Sequence, residues 1–290
     1  MHPGPIMSIR NTWSAEGSGT RGGFIALENP IRTGPSLPFT GERIVPGKTP
    51  EPLLREHEER YVFAGKFVKE KVVLDVACGT GIGTQYLLMA GAQRCLGLDI
   101  DGAAVAYAKA AYEGCQFAQC DAMNLCVPDS SIDVVVSFET IEHLGDQVKF
   151  LQECNRVLRS GGFLICSTPN HAIHRWALKN PFHVREFTVR QFTCILESVF
   201  SDVQLYSQNN KIYLLHVAKT LLLPLLAKLK LKNTIKRILR PKPVSIPLGA
   251  EFDGNPSNAD NEIKLYAEGL FLKPAYVVAV ARSGTGIDRG

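Results

Sequence analysis

The chain has 290 residues, enough to bury a full hydrophobic core, and its 45% hydrophobic and 21% charged content is ordinary for a soluble globular protein. A formal net charge of +4 is too small to point to any partner by itself. Eight cysteines, at 78, 95, 115, 120, 126, 154, 166 and 194, include no CxxC pair, which argues against a disulfide or zinc framework and for reduced thiols in a cytoplasmic setting.

In chain order, residues 1–38 are rich in Gly, Pro, Ser and Thr without sustained periodicity, and are predicted to form a flexible arm. The opening MHPGPIMSIR lacks the apolar core of a secretory signal, so export by that route is not expected. A helix over 51–68 leads into strands and helices that alternate. Strands are predicted at 71–77, 94–100, 115–121, 131–138 and 162–169. Between them come a helix through 85–90, an Ala-rich helix over 101–112 begun by a capping Asp101, and a helix over 146–158 ended by Ser160-Gly161-Gly162. A helix over 188–200 and a strand over 201–208 follow, and 274–282 is a late strand. Continuous apolar strands separated by helices predict an α/β fold with a doubly wound, mostly parallel sheet. The domain plan is an arm (1–38), a core (39–208), an insertion (209–273) and a final strand with tail (274–290).

The segment VLDVACGTGIG (73–83) sets Asp75, Gly79, Gly81 and Gly83 between a strand and a helix. Glycines there allow a sharp turn and a close approach of a ligand to the helix N-terminus. The next strand ends in Asp99, about twenty residues beyond Gly79, where a carboxylate can accept hydrogen bonds from both ribose hydroxyls of a nucleoside. Further on come Asp121-Ala122 after the third strand, SFETIEHL (137–144) after the fourth, and RVLRSGGFLICSTPN (156–170).

Taken in this order, these segments resemble the class I S-adenosylmethionine-dependent methyltransferases over roughly residues 40–208. The resemblance implies a seven-stranded Rossmann-like sheet and S-adenosylmethionine as cofactor. It implies that Gly79 and Gly81 face the methionine part, with Gly83 in the same loop, that Asp99 holds the ribose, and that Asp121 meets the adenine amino group beside Ala122. By the same resemblance Asp75 orients the loop through backbone amides. Met123 is placed either against the adenine or in the core. Arg60-Tyr61, ahead of the first strand, is placed either at the cofactor carboxylate or on a solvated helix face. Asp101 is read as a helix cap ahead of a ribose ligand.

Methyl transfer from a sulfonium is an in-line displacement whose main demands are alignment and exclusion of water. An alcohol nucleophile must also lose a proton. His143 in FETIEHL is the candidate catalytic base, at the carboxyl edge where such sheets open their crevice; a structural histidine packing the following helix is the competing reading. Glu139 is expected to line the pocket and Glu142 to face solvent or a basic neighbour. In the loop after the fifth strand, His171, His183 and Arg185 are candidates for acceptor binding. Their spacings form no recognised chelate, so no metal site is expected.

TGERIVPG (40–47), the IEHL segment and STPN…NPFHVREF resemble a subgroup associated with bacterial surface-glycan and polysaccharide biosynthesis. This implies O-methylation of a sugar hydroxyl, on a small-molecule or lipid-linked glycan acceptor. The alternatives are a quinone, polyketide or other small-molecule acceptor, and a non-catalytic, membrane-associated cofactor-binding scaffold. The intact set of glycines, acidic ligands and His143 favours catalysis. Residues 211–242 hold nine Lys/Arg and no Asp/Glu. With Pro224 and interrupting lysines the run is a poor transmembrane helix. Two readings stand beside each other: a lid packed by its Leu face, and a basic amphipathic contact with an anionic bilayer. Nucleic-acid binding is disfavoured, because no recognised module accompanies the basic run. The expected location is cytoplasmic, with or without that membrane contact.

Overall fold

A computed structural model describes residues 37–39, 41, 43–174, 180–212, 263–266 and 272–284. Its centre is a sheet in which β1 (Val72–Val76), β2 (Arg94–Asp99), β3 (Gln116–Gln119), β4 (Ile132–Phe138) and β5 (Leu158–Pro169) pair in parallel. β6 (Asp202–Ile212), β7 (Lys264–Leu265) and β8 (Leu272–Arg282) complete it, in the order β3-β2-β1-β4-β5-β8-β6-β7, with β8 antiparallel to both its neighbours. The strand order reverses between β1 and β4, so a crevice opens beyond the carboxyl ends of these two strands. The seven strands anticipated are present, and the two-residue β7 adds an eighth at the edge.

Apolar strand residues are divided between the two faces by their period of two. Leu74, Val76, Val135, Leu164 and Cys166 pack on one face with Phe150, Leu151 and Val157 of α4 (Gln147–Val157) and with Phe192 and Leu196 of α6 (Val189–Glu197). Val73, Val134, Val136 and Ile165 pack on the other with Tyr61, Phe63 and Ala64 of α1 (Glu51–Gly65) and Leu87 of α2 (Ile82–Met89). α3 (Gly102–Ala111) covers β2 and β3 through Val105 and Ala108. All eight cysteines are free, and four of them are buried. No helix among the described residues is long and apolar enough to cross a membrane.

Local chemistry accounts for the element ends. Asp101 caps α3 by accepting from the Ala103 N–H at 2.8 Å, as expected. Asp146 caps α4 through Lys149 N–H, and Thr188 with Gln191 forms a capping box on α6. The end of α4 departs from expectation. No Gly turn stops it; the chain passes straight into β5 at Leu158, which pairs with Ile132, and 159–162 bulge out before the ladder resumes at Phe163. Gly161, at φ 75°, serves that bulge. β6 runs to Ile212, so the boundary placed at 208 falls inside a strand. Of the arm, Leu37 is buried against Val45 and Tyr107, and its carbonyl accepts from Lys48 Nζ at 2.6 Å; residues 1–36 lie outside the described set.

Candidate functional site

A cavity of about 250 Å³ lies in the crevice, lined among others by Gly79, Thr80, Gly83, Asp99, Asp121 and Ala122. The turn after β1 builds its floor. Gly79, at φ 56°, takes a conformation L side chains avoid, and a Cβ there would meet only Arg43 Cβ at 3.8 Å. Its open face is therefore the approach for a ligand. Asp99, only 9% exposed at the end of β2, accepts from Gly79 N–H at 2.8 Å and Asp101 N–H at 2.9 Å, one on each carboxylate oxygen. Each oxygen keeps a second lone-pair direction. Ile100 beside it is 67% exposed, an apolar surface on the cavity wall. Asp121 sits at the exposed rim with Oδ1 accepting from Met123 N–H at 2.8 Å. A two-lone-pair carboxylate, an apolar plate and a Cβ-free bend fit a nucleoside, the part of the expected cofactor that needs them.

Three expected members of this set act elsewhere. Gly81, at φ 81°, turns away from the cavity, and a Cβ would come within 2.7 Å of Ala108 Cβ and the Phe117 ring; it is required by packing between the loop and α3. Asp75 lies under the loop, not on its surface. Its carboxylate is held by the Thr84 hydroxyl at 2.7 Å and the Tyr61 hydroxyl at 3.2 Å, in place of the anticipated backbone amides. Complete burial, opposed by these hydrogen bonds, pushes its carboxyl up to about 7. Arg60 is fully buried and lines neither cavity described here. Its guanidinium donates to Gln208 Oε1 at 2.7 Å and stacks 4.7 Å over the Tyr276 ring. The residue meeting the cavity is its neighbour Tyr61, whose ring excludes any side chain at Gly83. Met123 does not line the cavity either.

Past β4 the chain makes a 3₁₀ turn, Ile141–His143, preceded by Glu139 at φ 52°. Glu139 is locked to β5 by the Ser167 hydroxyl, which donates to Oε1 at 2.7 Å and accepts from the Glu139 N–H at 3.2 Å. Glu142 is fully buried, which excludes the solvent-facing place expected for it, and Arg60 is the basic residue whose charge acts on it. Its Oε2 accepts from Thr168 Oγ1 at 3.0 Å, while Oε1 has no hydrogen-bond partner. Burial, reinforced by Glu139, holds its carboxyl well above the usual range. The loop 180–187 is pinned to this turn. Val184 and Arg185 N–H groups both donate to the Glu142 carbonyl, at 2.8 and 3.0 Å. The Phe182 carbonyl faces His143 Nδ1 at 3.1 Å, so that nitrogen carries the proton in the neutral ring and Nε2 is the basic one.

A second cavity of about 200 Å³ lies here, lined among others by Glu139, Glu142, His174, Asn180, His183 and Glu186. It shares Arg43, Ile44, His57, Glu139 and His143 with the first. The His143 and His183 rings meet edge to face, 4.9 Å apart at 85°. Of the expected acceptor contacts, His183 lines this cavity. His171 does not, reaching it only through Glu186, whose carboxylate bridges His171 Nδ1 at 2.9 Å and His183 Nδ1 at 3.0 Å. Burial raises the Glu186 carboxyl, but the two histidine hydrogen bonds outweigh it and leave it below its ordinary value. Arg185 is off the wall, its guanidinium 5.2 Å over the Phe187 ring.

Ile100, Arg43, Ile44 and His57 were missed as wall residues. Burial beside Arg60 holds the His57 imidazole well below its ordinary pKa, and so neutral. Its signal in the sequence is weak, because helix α1 carries no motif of its own around His57. Arg43 and Ile44 could have been found through TGERIVPG, a segment too ordered in character for a linker.

Residues 74–166 match the family described as a methyltransferase domain. The chain is 40% identical over 173 residues to a probable S-adenosylmethionine-dependent methyltransferase of Mycolicibacterium smegmatis, covering 58% of this chain and 67% of that protein. A second such protein, of Mycobacterium tuberculosis, is 38% identical over 172 residues, 58% of this chain and 62% of its own length. Tocopherol O-methyltransferase of Arabidopsis thaliana is 32% identical over 132 residues, 42% of this chain and 38% of that one. Among solved structures, an S-adenosylmethionine-dependent methyltransferase of Thermotoga maritima, titled a possible histamine N-methyltransferase, aligns at TM-score 0.52. It is 15% identical and covers 80% of this chain and 94% of its own, which is a likeness of fold.

Proposed function

The chain belongs to the class I S-adenosylmethionine-dependent methyltransferases, and on that premise we propose that it methylates a hydroxyl group of a sugar, on a glycan acceptor seated in the second cavity. When bound, the cofactor supplies an electrophilic methyl group on a sulfonium. The chain's own residues do the rest. Asp99 and Ile100 hold the nucleoside, the Gly79 bend receives the remainder, and the roof residues Arg43 and Ile44 keep water away from both chambers.

The observation that carries this reading is the position of His143 on the wall common to both cavities. Its Nδ1 proton is engaged by the Phe182 carbonyl, so Nε2 is the nitrogen able to take the acceptor's hydroxyl proton. A base so placed is worth about 10²–10⁴-fold. The choice of a sugar over a quinone rests on the second cavity's wall, where Arg43, Glu139, His174, Asn180, His183 and Glu186 make it polar. A polyhydroxylated ligand can satisfy them; a flat apolar one would leave them desolvated. A quinone or polyketide acceptor is the second reading, favoured by the name of the tocopherol O-methyltransferase relative.

An acceptor screen with radiolabelled methyl donor tests both. Label is expected in saccharide and lipid-linked saccharide fractions, in an alkali-stable ether; label confined to phenolic acceptors would refute the sugar assignment. Of residues 211–242, the first two end β6 and 213–242 lie outside the described set; the proposal assigns this segment to a lid or to a contact with an anionic bilayer. Co-sedimentation with anionic vesicles, with and without this segment, separates the two roles.

A further inference from the structure

We propose that Glu142, His143 and His183 form a binding site for a divalent first-row transition-metal cation, opening into the second cavity. This deepens the acceptor assignment above and rests on it for its role, though not for its existence. One carboxylate oxygen and one nitrogen of each ring all lie within 4.8 Å of one another, close enough for a single ion to replace the space between them. A buried carboxylate with two imidazoles is a donor set that suits such ions.

Three observations independent of that spacing point the same way. First, Glu142 is completely buried and its Oε1 has no hydrogen-bond partner. An unpartnered carboxyl oxygen in that position is costly, and a cation bound there would meet it as the carboxyl gives up its proton. Second, both rings are oriented as metal ligands are, with the outer N–H held by an oxygen: His143 Nδ1 by the Phe182 carbonyl, His183 Nδ1 by Glu186. This directs the lone pair of Nε2 on each. On His183 that lone pair accepts from Asn180 Nδ2 at 3.0 Å, a contact the ion would displace. Third, the charges favour a cation. Glu139, Glu142 and Glu186 line the cavity, where Arg43, paired with Asp101, is the one Lys or Arg among the described residues. Arg60 lies off the wall, and its charge offsets the burial of Glu142 only in part.

The ligands come from segments forty residues apart that the fold fastens together before any ion arrives, by the double hydrogen bond to the Glu142 carbonyl. Three protein ligands leave coordination positions for solvent or substrate, as catalytic sites do. A bound cation would acidify an acceptor hydroxyl placed in one of them, and Glu139 on the shared wall would then receive the proton that His143 Nε2 takes when no ion is bound.

The test is a titration of the chelator-treated full chain with MnCl₂, read by loss of the free Mn²⁺ EPR signal, beside a calorimetric titration with S-adenosylhomocysteine. One Mn²⁺ per chain is expected, displaced by Zn²⁺. Glu142→Gln and His183→Ala should each weaken it at least tenfold, and Glu186→Gln by about tenfold through loss of the ring's support, while nucleoside binding holds. A variant that no longer binds the nucleoside is set aside, and the others decide. No stoichiometric Mn²⁺ on the unaltered chain, or unchanged affinity in variants that still bind the nucleoside, overturns the site. Mn²⁺ bound without any nucleoside binding would instead sink the methyl-donor reading and leave the cation site standing.

Discussion

The two cavities are built by opposite strategies. The donor side, at the ends of the adjacent strands β1 and β2, is made of polar groups that satisfy one another: Asp99 holds the amides of Gly79 and Asp101, and Asp121 that of Met123. The acceptor side joins the turn after β4 to the loop 180–187 and to β8, and leaves Glu142 Oε1 buried without a partner. A site of settled polar groups is a receptacle for a fixed ligand. One that retains costly, unsettled groups has stored its reactivity there.

Substitutions should separate the halves. The largest effect is expected from His143→Gln, a loss of about 10²–10⁴-fold in turnover with nucleoside affinity unchanged in calorimetry; full turnover would remove the residue from the chemistry. Asp99→Ala should weaken nucleoside binding by about 100-fold, through about 3 kcal/mol of lost charge-assisted hydrogen bonds, without altering Mn²⁺ binding. Gly81→Ala forces a Cβ against Ala108 and Phe117 at φ 81° and should cost about 2–4 kcal/mol of folding stability in denaturant melts. Gly79→Ala, with open space around it, should cost about 1–2 kcal/mol and fall mainly on ligand affinity. If the two glycine variants behave alike, the division of the loop into packing and binding faces is wrong.

Per pH unit, the smallest effect belongs to Asp75. Its folded carboxyl is raised to about 7, chiefly by burial, so the protonated form suits the fold. The stability it contributes is full below about pH 4 and is lost as pH rises through about 7, at no more than about 1.4 kcal/mol per pH unit. Asp75→Asn should flatten the fall in melting temperature between pH 5 and 8, leaving the part due to Glu142. An unchanged slope would mean that Asp75 is ionised in the folded protein at all these values.

The same contrast explains what could be read in advance. The donor motifs lie within short stretches, where strand periodicity, the capping Asp101 and the glycine spacing act locally. The direction of Gly81 could not be read, because it depends on Phe117 thirty-six residues away. Arg60 and Glu142 were misplaced for one reason: a charged residue is expected outside, and only tertiary partners such as Gln208 and Thr168 make burial tolerable. His183 was picked out by the density of histidines in its loop. Its alliance with His143 depends on hydrogen bonds between segments that no local spacing announces.

Arg43 and Ile44 touch both cavities, and the loop that carries them is held down by the Arg43–Asp101 pair and by Thr80 Oγ1 donating to the Ile44 carbonyl at 3.1 Å. That loop is one wall of both chambers, a single door to either if it lifts, and its latch is a partly exposed ion pair. Added salt loosens such a latch, so an enzyme whose cycle waits on that door would run faster, up to a point, as ionic strength rises.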